Sequence, residues 1–229
     1  MQPYFFPYIG YFQLISSVDE FVIYDNIQYT KKGWINRNKI LSNGQDKTIT
    51  LPLKKDSDYC NVVDRRLSDS WPNERKKTIN LIKGCYAKAP HFRQAFAVIE
   101  ECLLYGDINL FNFLLNSIKK INEYLNIQTQ IITSSTLEID HNLKSQDKVT
   151  SICKILNAQV YINAIGGTDL YSKEHFSKND IKLNFIKSDP IIYKQFKNSF
   201  VPWLSIIDVM MFNSPESTKK HLNKYKLIS

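Results

Sequence analysis

The chain has 229 residues, with 30 Lys and Arg against 22 Asp and Glu, a formal net charge of +8. Its 43% hydrophobic and 23% charged residues are an ordinary globular composition, which excludes a disordered chain. No apolar run approaches the roughly 20 residues of a membrane-spanning helix, so no membrane span is expected. The length predicts one large domain or one domain with an inserted module; the reading is a single α/β domain over 1–229, with a central helical segment at 71–125 that is either an insertion or one face of the sandwich.

The opening, Met1-Gln2-Pro3-Tyr4-Phe5-Phe6-Pro7-Tyr8-Ile9-Gly10-Tyr11-Phe12, is dense in aromatics where termini are usually polar. It reads as though a strand should precede it, and the expectation is that Met1 lies inside a longer chain. No secretory signal is visible. Gln13–Ser17 finishes a short helix, and Glu20–Asp25 reads as a buried strand ending in a carboxylate. Asn43-Gly44 is a hairpin turn signal between Trp34–Ile40 and Thr48–Leu53, predicting a β-hairpin that projects Lys, Trp, Arg and Asn.

From Trp71 to Leu125 the apolar period becomes helical. Ile79, Ile82, Cys85 and Tyr86 share one face; Phe92, Phe96, Ile99, Cys102 and Leu103 share a second. Leu110, Phe113, Leu114, Ile118, Ile121 and Leu125 share a third. Pro90 and Gly106-Asp107 separate the three helices. Beyond them, Thr129–Thr133 is strand-like, Val149–Leu156 helical, and Gln159–Asn163 a strand entering Gly166-Gly167. A short helix near Leu170–Phe176, a strand at Lys182–Ile186 and helices over Ser205–Phe212 and Glu216–Tyr225 complete the chain. This alternation predicts a Rossmann-like, largely parallel sheet with flanking helices.

The excess charge identifies no nucleic-acid partner. Lys outnumbers Arg, and the densest run, Arg75-Lys76-Lys77, reads as a solvated helix face, although the field would attract a small phosphorylated substrate. Cys60, Cys85, Cys102 and Cys153 have no CxxC spacing, and the histidines no HExxH spacing, so neither metal nor disulfides are expected. A reducing, cytoplasmic location is the corresponding expectation.

In open α/β sheets ligands bind beyond the carboxyl ends of strands. Asp25 with the Asn26–Tyr29 loop, Asn163 with Gly166-Gly167, and Gln2-Pro3-Tyr4 arrive there in this reading. Asp25 is either a general base or the residue that orders the loop carrying Gln28 and Tyr29. Gly166-Gly167 is either a tight strand–helix turn or a phosphate cradle. Lys31, Lys32, Arg37 and Lys39 with Trp34 and Asn38 form either an anion-binding surface or a soluble hairpin. His141, within Asp140-His141-Asn142, is a possible base or a helix-entry residue. Cys153 sits at core spacing. Asp208, in an apolar helix, needs a buried partner or a site role.

Five segments, in chain order, resemble the WbqC-like family. They are Gln2–Phe12, Asp25–Tyr29, Gly33-Trp34-Ile35-Asn36-Arg37-Asn38, Tyr161–Gly167 and Phe200–Asp208. The resemblance implies a place in bacterial O-antigen or other surface-polysaccharide production. It further implies glycine or aminoacyl transfer to the amino group of a nucleotide-linked amino sugar. Asp25 or His141 would be the base; Lys32 and Arg37 would hold the diphosphate; Trp34 and Tyr29 would contact base or sugar. Gly166-Gly167 would serve an oxyanion or phosphate, with Gln2, Tyr4, Gln28, Asn38 and Asn163 on the substrate side. No cofactor is firmly implied; the acyl donor would be a thioester of coenzyme A or of an acyl or peptidyl carrier protein.

A weaker architectural similarity is to the HxGH nucleotidyltransferases, but Tyr8 and Gly10 stand there without a histidine. A non-catalytic assembly subunit is the other alternative, with Tyr4, Phe5, Phe6, Tyr8 and Tyr11 as its interface.

Overall fold

In the computed structural model, residues 1–197 and 199–229 are described. The aromatic opening is mostly interior, not an interface: Phe5, Phe6 and Tyr11 are buried, while Tyr4 and Tyr8 are half-buried. Phe6 adopts a φ of 43°, in the left-handed region, so this turn needs outside support. Asn38 Nδ2 donates to the carbonyls of Phe5 and Phe6, and the Ser205 hydroxyl donates to Phe6 O. The turn delivers the chain into α1 (Ile9–Ser16), most of which is buried.

The hairpin pairs β2 (Arg37–Ser42) with β3 (Gln45–Thr50) antiparallel, Ser42 opposite Gln45. Asn43 and Gly44 both have positive φ, 51° and 77°, the twist that a two-residue type I′ turn requires. The first strand starts at Arg37, later than expected, because residues 30–36 turn back: Gly33 N–H donates to Thr30 O, and Arg37 Nε to Gly33 O.

The three central helices are α2 (Trp71–Tyr86), α3 (Phe92–Leu104) and α4 (Leu110–Tyr124). Their apolar faces join α1, the hairpin and α7 (Ile206–Phe212) in one continuous core. At its centre lies Asp208, fully buried. Tyr86 Oη donates to its Oδ2 at 2.9 Å, while Tyr193 Oη and Gln195 Nε2 donate to Oδ1, each at 2.6 Å. Tyr86 Oη in turn accepts from Leu41 N–H at 2.7 Å, so one carboxylate ties α2, β2 and α7 together.

The expected continuous parallel sheet is replaced, among the described residues, by three small sheets. Parallel β1 (Glu20–Ile23) and β4 (Gln130–Thr133) form one, and the hairpin forms another. The third has β5 (Val160–Ala164) parallel to β6 (Lys182–Ser188), with β7 (Tyr225–Ile228) antiparallel to β6. The two parallel pairs share no ladder because a cleft of about 820 Å³ lies between β1 and β5. The mixed α/β class stands; the helix expected through Tyr225 instead ends as α8 (Pro215–Leu222), and the last residues pair with β6.

Helices α5 (Ser145–Ile155) and α6 (Lys173–Ser177) cover one face of the third sheet, burying Val149, Cys153 and Phe176 against Leu183 and Phe185. On the other side, buried Gln13 of α1 donates to the carbonyls of His221 and Lys224 and accepts from the Ser188 hydroxyl. No described helix is long and apolar enough to cross a membrane.

Candidate functional site

Beyond the carboxyl ends of β1 and β4 the chain turns into Asp25-Asn26 and a short 3-10 turn, Ser134–Thr136. Asp25 is buried and accepts from Ser134 Oγ at 2.9 Å and from Ser135 N–H at 3.0 Å. Burial pushes its pKa up, but the hydrogen bonds from Ser135 and Ser134 outweigh it and hold the carboxyl below its ordinary range. An acid held in its ionised form by two hydrogen bonds to Oδ1 is a weak base. Its geometry suits ordering the loop, the second of the two roles open to it.

Ser134 Oγ also reaches Asn26 Oδ1 at 2.7 Å, and Asn26 Nδ2 lies 3.0 Å from His141 Nδ1. His141 Nε2 is 3.1 Å from Leu137 O. A carbonyl can only accept, so Nε2 carries the proton and the imidazole lone pair is on Nδ1, where the Asn26 amide donates to it. Asp25 and His141 thus belong to one chain of hydrogen bonds. Asp25 is its buried anchor and His141 its solvent-exposed end.

The Asn26–Tyr29 segment continues along the stretch before a second short 3-10 turn, Val62–Asp64. Val62 N–H donates to Ile27 O, and Tyr29 N–H to Cys60 O. This brings Tyr29 to a cavity of about 530 Å³ lined by Lys31, Arg37, Lys54, Lys55 and Arg65, with Asp56 the one acidic side chain in its wall among the described residues. Tyr29 Oη donates to Asn36 Oδ1 at 2.8 Å. Over its ring, 4.8 Å from the centroid, lies the Arg65 guanidinium. Arg65 is only 4% exposed. Its terminal nitrogens donate to Ser57 O and Lys54 O, and its Nε has no partner among the described residues. A buried guanidinium facing carbonyls, with no carboxylate ion-paired to it among the described residues, adds its charge to those of Arg37 and Lys55 and keeps the cavity electropositive, although Lys31 pairs with Asp58 and Lys54 with Asp69.

The other expected site residues are distributed more widely. Lys32 and Trp34 are exposed and outside this lining, whereas Arg37 is in it. Lys31 also pairs with Asp58 at 2.6 Å, and Lys39 with Asp46. Gln28 is exposed and donates to Asp58 O. The Asn38 amide is committed to the Phe5 and Phe6 carbonyls. Tyr4 Oη donates to Gln2 Oε1 at 3.2 Å, and Tyr11 Oη to Gln2 O.

Asn163, Gly166 and Gly167 belong to the β5 end of the third sheet, apart from the hairpin that carries Arg37. Asn163 Oδ1 accepts from Ala164 N–H. The Asn163 amide packs against Gly167 so closely that a side chain there would collide with it, while Gly166 faces open space. Neither glycine has positive φ. Close packing by Asn163 therefore accounts for Gly167 as a turn residue.

Asn26 as a side chain, Ser134, Lys54, Lys55 and Arg65 lie outside the site residues expected from sequence. The basic pairs Lys54-Lys55 and Arg65-Arg66 were a visible signal; nothing local marked Ser134. Among the described residues, no group of three or more His, Cys, Asp or Glu gathers to hold a metal.

A model of the WbqC-like protein family matches residues 2–220. The chain is also similar to the uncharacterized protein Rv1507c of Mycobacterium tuberculosis. Identity is 28% over 220 residues, covering 93% of this chain and 91% of that protein. No solved structure matches.

Proposed function

The chain belongs to the WbqC-like protein family, and on that premise we propose that it transfers an acyl group, aminoacyl or glycyl, to the amino group of a nucleotide-linked amino sugar in surface-polysaccharide production. The observation that carries this reading is the electropositive cavity around Arg37 and Arg65, joined by the Asn26–Tyr29 segment to the His141 hydrogen-bond chain. Guanidinium forks suit a diphosphate, and Tyr29 offers an adjoining ring. In the transfer, the sugar amine attacks the thioester carbonyl. Its proton passes to His141 Nδ1, the thiolate leaves, and the substrate amine takes the place of the Asn26 amide. Carrier-protein or coenzyme A thioesters are the donors in this reading, and a Rossmann-like sheet and a cytoplasmic setting go with it.

Arg37→Ala is expected to weaken binding of a nucleotide-linked amino sugar about 10- to 100-fold, the loss of a charge-assisted hydrogen bond worth roughly 1.5–3 kcal/mol. Lys76→Ala, on the solvated face of α2, should leave it unchanged. Calorimetric titration reads both; equal affinity for Arg37→Ala and the parent chain would remove the diphosphate assignment. Mass spectrometry of the chain incubated with nucleotide-linked amino sugars and aminoacyl thioesters tests the reaction itself.

A non-catalytic sugar-nucleotide binding subunit is the second reading. It is favoured by the engagement of both His141 nitrogens and of the Asp25 carboxylate with protein groups. Its signature is tight binding without acylated product from any donor.

A further inference from the structure

Beyond the carboxyl end of β6 lies a second pocket, of about 560 Å³, which shares no lining residue with the electropositive cavity. There Tyr8 and Ile9 at the head of α1 and Val209 of α7 meet residues 190–193 and 200–204. Among the described residues this wall is apolar or aromatic throughout; the polar lining, Lys187, Ser188 and Asp189, comes from the end of β6 alone. The volume is within the roughly 300–1,000 Å³ of small-molecule sites.

The walls are pinned to α7. Tyr193 Oη and Gln195 Nε2 both donate to Asp208, and Gln195 also accepts from Val201 N–H at 2.7 Å and donates to Val201 O at 3.1 Å. Two large apolar side chains of the lining nonetheless stay in water: Ile192 is 73% exposed and Trp203 74%. Trp203 holds its indole there at a φ of 59°, in the left-handed region that bulky residues rarely enter. Backbone strain of this kind gathers at ligand sites. The pocket is also close to the electropositive cavity. Ser205 N–H donates to Lys39 O at 2.8 Å, and Lys39 is two residues along β2 from Arg37, about 7 Å at roughly 3.3 Å per residue.

The lining selects among ligands. A nucleobase or a sugar needs hydrogen-bonding partners around its rim, and the Ser188 hydroxyl is already given to Gln13 Oε1. A flat ring is best held between parallel aromatic faces, whereas Tyr8 meets Trp203 edge-on at 61° and Tyr193 meets Phe200 edge-on at 80°. A flexible apolar chain with one polar end, directed towards the β6 residues, fits this wall. We propose that the pocket holds the aliphatic chain of an acyl thioester, so that the group selected is a medium-length aliphatic acyl group rather than a glycyl one. The identity of the thioester rests on the acyl-transfer reading above; the pocket itself is tested without it.

Calorimetric titration of the full chain with butyryl-, hexanoyl- and octanoyl-coenzyme A reads the pocket. The expected result is one molecule bound per chain, with affinity rising about fourfold for each added methylene. Trp203→Gly, which removes the indole and relieves the positive φ, and Ile192→Ser should each flatten this to about twofold or less. Both side chains are exposed, so the thermal midpoint should hold in both variants. The proposal is overturned by affinity that ignores chain length, or by a chain-length dependence that survives both variants. Tighter binding of phenylacetyl- than of octanoyl-coenzyme A also overturns it, because the occupant would then be a ring. A dimer that both variants dissociate overturns it as well, since a second copy would then cover the indole. Chain-length dependence without acylated sugar product in mass spectrometry supports the pocket and removes the transfer reading. Glycyl transfer without chain-length dependence does the reverse.

Discussion

Asp208→Ala is expected to destabilise the fold by about 3–5 kcal/mol, because it leaves the buried Tyr86 and half-buried Tyr193 hydroxyls without an acceptor and removes one of the two acceptors of Gln195 Nε2, which keeps only Val201 O, at roughly 1–3 kcal/mol for each lost bond. For a chain of this size, that lowers the thermal midpoint by roughly 10 °C. The donors are Tyr86, Tyr193 and Gln195, which arrive from separate parts of the chain, and Tyr86 also receives the Leu41 amide. The damage therefore spreads to α2 and β2 rather than staying in α7. Thermal melts followed by circular dichroism check it; a midpoint within 2 °C of the parent, or about 0.5 kcal/mol, would mean that the network contributes no net stability.

The same carboxyl makes a signed prediction about pH. Burial raises the Asp208 pKa above 3.8, and the hydrogen bonds from Tyr193, Gln195 and Tyr86 oppose that rise without cancelling it. In the window above 3.8 and up to the raised value, the folded state binds more protons than the unfolded one, so stability falls as pH rises. Asp208→Asn does not titrate, so the advantage of the parent over this variant should shrink from acid towards neutral pH. Asp25 acts in the opposite sense. With its pKa lowered, its contribution is present above 3.8 and is lost as pH falls through the folded value.

His141→Ala is expected to reduce turnover about 10²- to 10⁴-fold, the usual span for a general base. Nucleotide-sugar affinity should stay within about twofold, because phosphate contacts dominate binding in the cavity. Product formation by mass spectrometry, set beside titration, separates the two quantities. Unchanged turnover would transfer the base to another group. Absence of turnover in the parent chain as well would favour the binding subunit.

The features legible in the residue order are those with a local physical cause. The three central helices follow from apolar spacing, which records one buried face per helix. Asn43-Gly44 specifies the hairpin because few residue pairs tolerate two positive φ angles in succession. The motif segments alone carried the family.

The site was only partly legible. Asp25 at a predicted strand end, Tyr29 in the loop after it, Arg37 in the hairpin and His141 before a helix stood out as chemistry-bearing residues. What joins them did not: Ser134 meets Asn26 across 108 residues, and Asn26 meets His141 across 115. Arg65 becomes a site residue only because it folds over Tyr29. Such polar contacts leave no periodic trace along the chain. Strand order behaves in the same way, since an apolar run announces a buried strand without naming its neighbours. Which strands pair, where β1 and β5 stop short of each other, and which cations share one cavity were decided by tertiary packing, where non-local hydrogen bonds and burial are settled together.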